Sequence, residues 1–133
     1  MKRKLFPVLI LIFLTIGLFT TFGLSADVPV ITKDELKAML GNPDLVIFDV
    51  RLSSDYFASD IKVKGAERPD YGTKKIVPPE YSGKTIVIYC GSPNEGTSVA
   101  NAQILREKGY TKVYVLKGGW EEWLKAGYPT EKK

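Results

Sequence analysis

Three short runs of almost wholly apolar residues restrict the folds that are open to this chain. Each run is five or six residues long: Leu45–Val50, Thr85–Cys90 and Lys112–Leu116. A strand that is covered on both faces is apolar at nearly every position, whereas in a strand with one solvent-exposed face apolar and polar residues alternate. Because segments with helical signals lie between the runs, the pattern predicts an α/β domain with a parallel sheet and helices on both faces.

Shorter elements are expected around these strands. Thr32 and Glu35 are spaced as a capping box, which predicts a helix directly after a short strand at residues 28–31. Residues 53–59 predict a short helix or turn, and residues 61–79 a loop with a short strand near Ala66. Two more helices are expected, one over residues 98–108 and a final one after Gly118-Gly119, with Trp120, Trp123 and Leu124 on one face.

The first 26 residues are typical of a targeting segment, and the domain is expected to occupy residues 27–133. Lys2, Arg3 and Lys4 precede an uncharged run over residues 5–24, and Ser25-Ala26 provides a small-residue cleavage site. The run has 20 residues, which is long for a cleaved signal and enough to span a bilayer. A cleaved signal is favoured, and an uncleaved anchor that meets the membrane through residues 5–24 is the alternative. With a cleaved signal or an uncleaved anchor alike, the basic end stays in the cytoplasm, which predicts a domain outside it, periplasmic or secreted.

Composition excludes several kinds of partner and site. Three of the 19 basic residues belong to the leader, so the chain from Asp27 onward has 16 basic and 15 acidic residues. This near balance gives no reason to expect a nucleic-acid partner. The chain has one cysteine and no histidine. These counts exclude an internal disulfide, His-dependent catalysis and a metal site, and no cofactor is expected.

The chemistry is expected at Cys90, which ends the second apolar run. A loop with Gly, Ser and Asn follows, and a helix begins by Ser98. In open α/β sheets, ligands bind beyond the carboxyl ends of the strands, where backbone N–H groups and a helix N-terminus form an anion cradle. The same field favours a thiolate, which suits attack on a sulfur-bearing or oxyanion substrate. From its position alone, Cys90 is equally well interpreted as a small core residue.

Five segments carry a resemblance to a known family. They are Asp49-Val50-Arg51, the stretch from Tyr56-Phe57 to Gly65-Ala66, the strand Ile86–Cys90, residues 102–110, and the closing residues Gly118-Gly119-Trp120, Trp123 and Gly127-Tyr128-Pro129. Together they resemble the rhodanese family of sulfurtransferases over nearly all of residues 28–130. The closing segment is the most specific part, whereas the Asp-Val-Arg triplet alone is weak.

The resemblance implies a sulfur-transfer function. In that family, the cysteine takes a sulfane sulfur from a donor such as thiosulfate, becomes a persulfide, and passes the sulfur to a thiophilic acceptor. Carried onto this chain, Cys90 is the nucleophile, and Asp49 and Arg51 are structural supports that pair at the strand end. The implied donor is a small sulfur compound or a protein persulfide, and the acceptor is cyanide or a thiol. The implied anion-binding loop consists of Gly91, Ser92, Pro93, Asn94, Glu95, Gly96, Thr97 and Ser98.

Two departures from the family qualify this expectation. The loop is about two residues longer than common rhodanese loops, which resembles the relatives that act on larger oxyanions. It has no basic residue and contains Glu95, which would repel both a thiolate and an incoming dianion. An outward orientation, in which Glu95 complements the dipole at the start of the helix, is an equally good interpretation. Because the loop has no basic residue, phosphatase and arsenate chemistry are disfavoured, and a neutral or cationic sulfur donor suits the loop better than thiosulfate. Two alternatives stay open: a non-catalytic binding module with the same fold, and a single-cysteine redox or sulfur-trafficking partner.

Overall fold

A computed structural model describes residues 28–69, 79–92, 94 and 96–133. The predicted signal or anchor, residues 1–26, lies outside these ranges. The main sheet has five parallel strands in the spatial order β1-β6-β5-β2-β4. They are β1 (Val30–Ile31), β2 (Leu45–Asp49), β4 (Ala66–Glu67), β5 (Thr85–Tyr89) and β6 (Val113–Leu116). A separate antiparallel pair consists of β3 (Ile61–Val63) and β7 (Thr130–Lys132).

The helices within the described ranges cover both faces of the main sheet. They are α1 (Lys33–Met39), α2 (Ser53–Ala58), α3 (Gly96–Glu107) and α4 (Gly119–Lys125), with a 3₁₀ turn at Pro79–Tyr81. Ala102 and Leu105 of α3 pack in the core on one face. Leu36 of α1 and Trp123 of α4 pack in the core on the other. The predicted parallel α/β architecture is therefore confirmed, and burial on both faces explains the apolar runs.

Most predicted elements are present with slightly different boundaries. The Thr32 hydroxyl accepts a hydrogen bond from the Glu35 backbone N–H at 3.2 Å, as the capping box predicts. Helix α3 begins at Gly96 and ends at Glu107, rather than spanning residues 98–108. Cys90 follows the last residue of β5 instead of ending the strand. No helix in the described part of the chain is long and apolar enough to cross a membrane.

The C-terminal segment differs from the prediction in two respects. Leu124 does not share the buried face of Trp120 and Trp123, because it borders an uncovered groove beside α2 and is 48 % exposed. Of the three residues that were placed on one face, Trp120 and Trp123 are buried, and Leu124 lines the same groove as Trp120 but is left exposed. Strand β7 was not expected, since its residues Thr-Glu-Lys show no apolar alternation. Its pairing with β3 depends on the chain turning back after α4.

Candidate functional site

Cys90 lies at the carboxyl edge of the main sheet, where β2 and β5 end side by side. The Val50 backbone N–H donates to the Tyr89 carbonyl at 2.8 Å, so the pairing of the two strands continues to the start of the loop. The Cys90 side chain is 4 % exposed. Its Sγ lies 3.4 Å from the Ser98 hydroxyl and 3.7 Å from the Ser92 carbonyl oxygen. The thiol is therefore enclosed by its own loop and by the first turn of α3.

A cavity of about 300 Å³ lies beside Cys90. This volume is at the lower end of the range for small-molecule sites. The described lining residues are Leu52, Asp55, Cys90, Gly91, Ser92, Asn94, Gly96 and Thr97. Of the predicted loop residues, the structure thus brings Gly91, Ser92, Asn94, Gly96 and Thr97 together around Cys90. Ser98 is fully buried against the sulfur, whereas Pro93 and Glu95 lie outside the described residues.

Helix α4 holds the loop through backbone hydrogen bonds. The Trp120 N–H donates to the Cys90 carbonyl at 2.8 Å, and the Glu121 N–H donates to the Gly91 carbonyl at 3.3 Å. These are N–H groups of the first turn, which have no partner within their own helix. Gly119 permits the close approach, because a Cβ there would lie 2.6 Å from the Cys90 carbonyl oxygen. The Gly-Gly-Trp segment therefore positions the cysteine loop.

Asp49 and Arg51 form a buried ion pair beside the site. The Arg51 Nη2 and Nε groups donate to the Asp49 carboxylate at 2.7 and 3.0 Å. The Tyr89 hydroxyl donates to the same carboxylate at 2.7 Å. Burial and the neighbouring Asp49 charge raise the pKa of Tyr89 far above its ordinary value. Asp49 and Arg51 do not line the Cys90 cavity as described, and their geometry fits a supporting role.

Asp55 is a site residue that the sequence analysis did not single out. It lies in the first turn of α2, and a Cβ at Gly91 would be only 2.9 Å from its Oδ2 atom. Its side chain is the one charged group among the described residues that line the Cys90 cavity. The sequence signal that could have identified Asp55 is its position early in a helix that closely follows a strand. Such a helix begins near the ligand-binding edge of the sheet.

Comparisons with known proteins agree with this architecture. A family model, the rhodanese-like domain, matches residues 32–126. Thiosulfate sulfurtransferase GlpE of Coxiella burnetii is 35 % identical over 91 residues, which cover 65 % of this chain and 78 % of that protein.

Two solved structures are similar in fold. A thiosulfate sulfurtransferase from Pseudomonas aeruginosa is 24 % identical with a TM-score of 0.66, over 79 % of this chain and 19 % of that one. A protein of unknown function from Rhodopseudomonas palustris, described as a possible tyrosine phosphatase, is 24 % identical with a TM-score of 0.63. That match covers 78 % of this chain and 85 % of the other. At such identities, both structures show a common fold alone.

Proposed function

This chain belongs to the rhodanese-like sulfurtransferase family, and we propose that it moves sulfane sulfur through a persulfide on Cys90. The observation that carries this proposal is the placement of the thiol. Cys90 lines a small cavity at the carboxyl edge of a parallel sheet, and its Sγ lies 3.4 Å from the Ser98 hydroxyl. A nucleophile, a small cavity and a hydroxyl that can donate to a thiolate therefore lie at one place.

The proposed reaction consists of two displacements at sulfur. The Cys90 thiolate attacks the outer sulfur of a donor, a new Cys90 S–S bond forms, and the donor's S–S bond breaks. The bonding electron pair leaves with the donor remainder, which is sulfite from thiosulfate or a thiolate from a persulfide. An acceptor thiolate or cyanide then attacks the outer sulfur of the Cys90 persulfide, and Cys90 returns to the thiolate. No external oxidant or reductant is consumed.

Two features near the sulfur stabilise the negative charge that both steps require. The buried Ser98 hydroxyl is placed to donate to the thiolate, and hydrogen bonds to charged acceptors are stronger than those between neutral groups. Helix α3 has 12 residues and begins at Gly96, so the positive end of its dipole faces the loop. Because these groups are already oriented in the folded protein, they stabilise the charge without rearrangement of the solvent.

The charges around the cavity favour a neutral or cationic donor. Asp55 lines the cavity, and residues 91–98 include Glu95 and no basic residue. The Asp55 carboxylate repels a dianion such as thiosulfate, whereas it attracts a donor with an ammonium or guanidinium group. The proposed setting outside the cytoplasm, periplasmic or secreted, is supported by the character of residues 1–26. Fractionation of cells that produce the full chain tests this location.

The direct test of the proposal is the intact mass of the full chain after incubation with polysulfide or thiosulfate. We expect a gain of one sulfur atom that cyanide removes as thiocyanate. Cys90 is the single cysteine in the chain, so Cys90→Ser is a complete control and should gain nothing. If a folded protein forms no adduct with either donor, the sulfur-transfer proposal is wrong and a non-catalytic binding module is favoured.

A further inference from the structure

We propose that a groove between α2 and α4 binds a cysteine-bearing segment of a partner protein, with which Cys90 exchanges sulfur. The residues that line this α2–α4 groove include Asp55 and Ala58 on α2, Gly91 in the loop, and Trp120, Leu124 and Lys125 on α4. The chemistry of this inference rests on the proposed function at Cys90. The identity of the partner rests on the shape, exposure and charge of the groove.

The groove lies directly beside the Cys90 cavity. Asp55, Gly91 and Ser92 line both spaces. The groove has a volume of about 590 Å³, roughly twice the 300 Å³ at the thiol. A small donor or cyanide is accommodated by the Cys90 cavity alone. An extended segment can lie in the groove while its cysteine side chain enters the cavity.

Apolar side chains are exposed along this path. Leu124 on the α4 wall is 48 % exposed, and Leu52 at the rim of the Cys90 cavity is 59 % exposed. Trp120, which is largely buried, also lines the groove. Large exposed aliphatic residues beside a concave site gain free energy when a partner covers them. Small anions such as thiosulfate and cyanide offer no apolar surface for that purpose.

The charges of the groove favour a basic segment. Asp55 on α2 and Glu121 on α4 place a carboxylate on each wall, and Lys125 is the one cation among the described lining residues. Asp55 also lines the Cys90 cavity, so its charge lies close to the position of an entering cysteine. Complementary charges guide association and select the partner. The groove therefore fits a segment whose cysteine has an apolar and a basic neighbour.

The exchange with such a partner balances without a further reactant. The partner's thiolate attacks the outer sulfur of the Cys90 persulfide, the Cys90 S–S bond breaks, and the electron pair returns to Cys90. The partner becomes the persulfide. The reverse reaction loads Cys90 from a partner that already holds the sulfur.

The test uses the full chain and a short fluorescent peptide with one cysteine between leucine and lysine. In the binding measurement, the protein is Cys90→Ser and the peptide cysteine is replaced by serine, so that no sulfur chemistry is needed. We expect Leu124→Ser to weaken binding about fivefold, as expected for losing burial of roughly half a leucine side chain. Ile104→Ser is the matched control, because Ile104 is 49 % exposed and lies on α3 outside the groove.

A second measurement varies the peptide and leaves the protein unchanged, so folding cannot affect the comparison. Replacing the peptide's lysine with glutamate should weaken binding. In a separate comparison that does change the protein, Asp55→Asn should reduce the difference between the two peptides. In the sulfur-transfer assay, Leu124→Ser should lower transfer to the cysteine peptide about fivefold relative to transfer to cyanide.

The two assays separate failure of the groove from failure of the proposed function. If Leu124→Ser and Ile104→Ser bind the peptide equally well, and both peptides bind alike, the groove proposal is wrong even when Cys90 turns over sulfur with cyanide. If binding depends on Leu124 but Cys90 never gains sulfur, the groove proposal stands and the sulfur-transfer proposal fails.

Discussion

Replacing Gly119 with alanine should show how strongly α4 controls the cysteine loop. Gly119 has a φ of +59°, a left-handed conformation that costs an alanine about 1–2 kcal/mol. The new Cβ would also lie 2.6 Å from the Cys90 carbonyl oxygen and 3.0 Å from that of Ser92. Both contacts are with backbone atoms, so the loop must shift, which adds about 1–3 kcal/mol. We expect Gly119→Ala to lower the free energy of unfolding by about 2–5 kcal/mol.

Gly127→Ala is the matched control for this substitution. Its φ is +68°, but nothing lies within 4 Å of a Cβ built there, so it should lose only the conformational cost of about 1–2 kcal/mol. Urea unfolding of both variants measures the difference. Under conditions where both are folded, Gly119→Ala should slow sulfur loading of Cys90 about ten- to hundredfold, because displaced reacting groups lose rate steeply. Equal stabilities and equal loading rates for the two variants would refute this account of the loop.

Two further predictions concern the charges around the site. Because burial and Asp49 raise the pKa of Tyr89, its stabilising contribution is complete below about pH 10, the ordinary tyrosine value, and is lost as pH rises further. Between pH 9 and 11, we therefore expect the free energy of unfolding of the parent protein to fall by about 1.4 kcal/mol more than that of Tyr89→Phe. Urea unfolding at each pH measures this difference, and the same pH dependence for both proteins would contradict the prediction. Glu95→Arg should raise the rate with thiosulfate about tenfold, because it replaces repulsion of a dianion with attraction. An unchanged thiosulfate rate would mean that Glu95 points away from the cavity.

The main sheet and the location of the site could be predicted because both follow from local patterns. Strands buried on both faces are apolar at nearly every position, and the runs at residues 45–50 and 85–90 meet that requirement. Parallel strands bring their carboxyl ends to one edge of the sheet, so a cysteine after β5 is placed there by topology. The roles of the individual loop residues are still predictions.

The surroundings of the site could not be predicted because they depend on how separate elements meet. Asp55 and Trp120 are 65 positions apart in the sequence, and only the packing of α2 beside α4 makes them line one groove. Leu124 has the spacing of a buried residue on α4, but no described element covers that flank. The hydrogen bond between Ser98 and Cys90 similarly depends on the curvature of the intervening loop.

The buried Asp49–Arg51 pair is better explained by positioning than by stability. Apolar residues of similar volume can replace a buried ion pair with little loss of stability. A contribution to stability therefore does not explain why this ion pair is present. Here the Arg51 guanidinium carbon lies 4.4 Å from the centre of the Trp120 ring, a cation–π distance. The Trp120 backbone N–H in turn donates to the Cys90 carbonyl at 2.8 Å. The pair therefore contacts the residue whose backbone holds the cysteine loop, and Trp120 connects the Asp-Val-Arg and Gly-Gly-Trp segments.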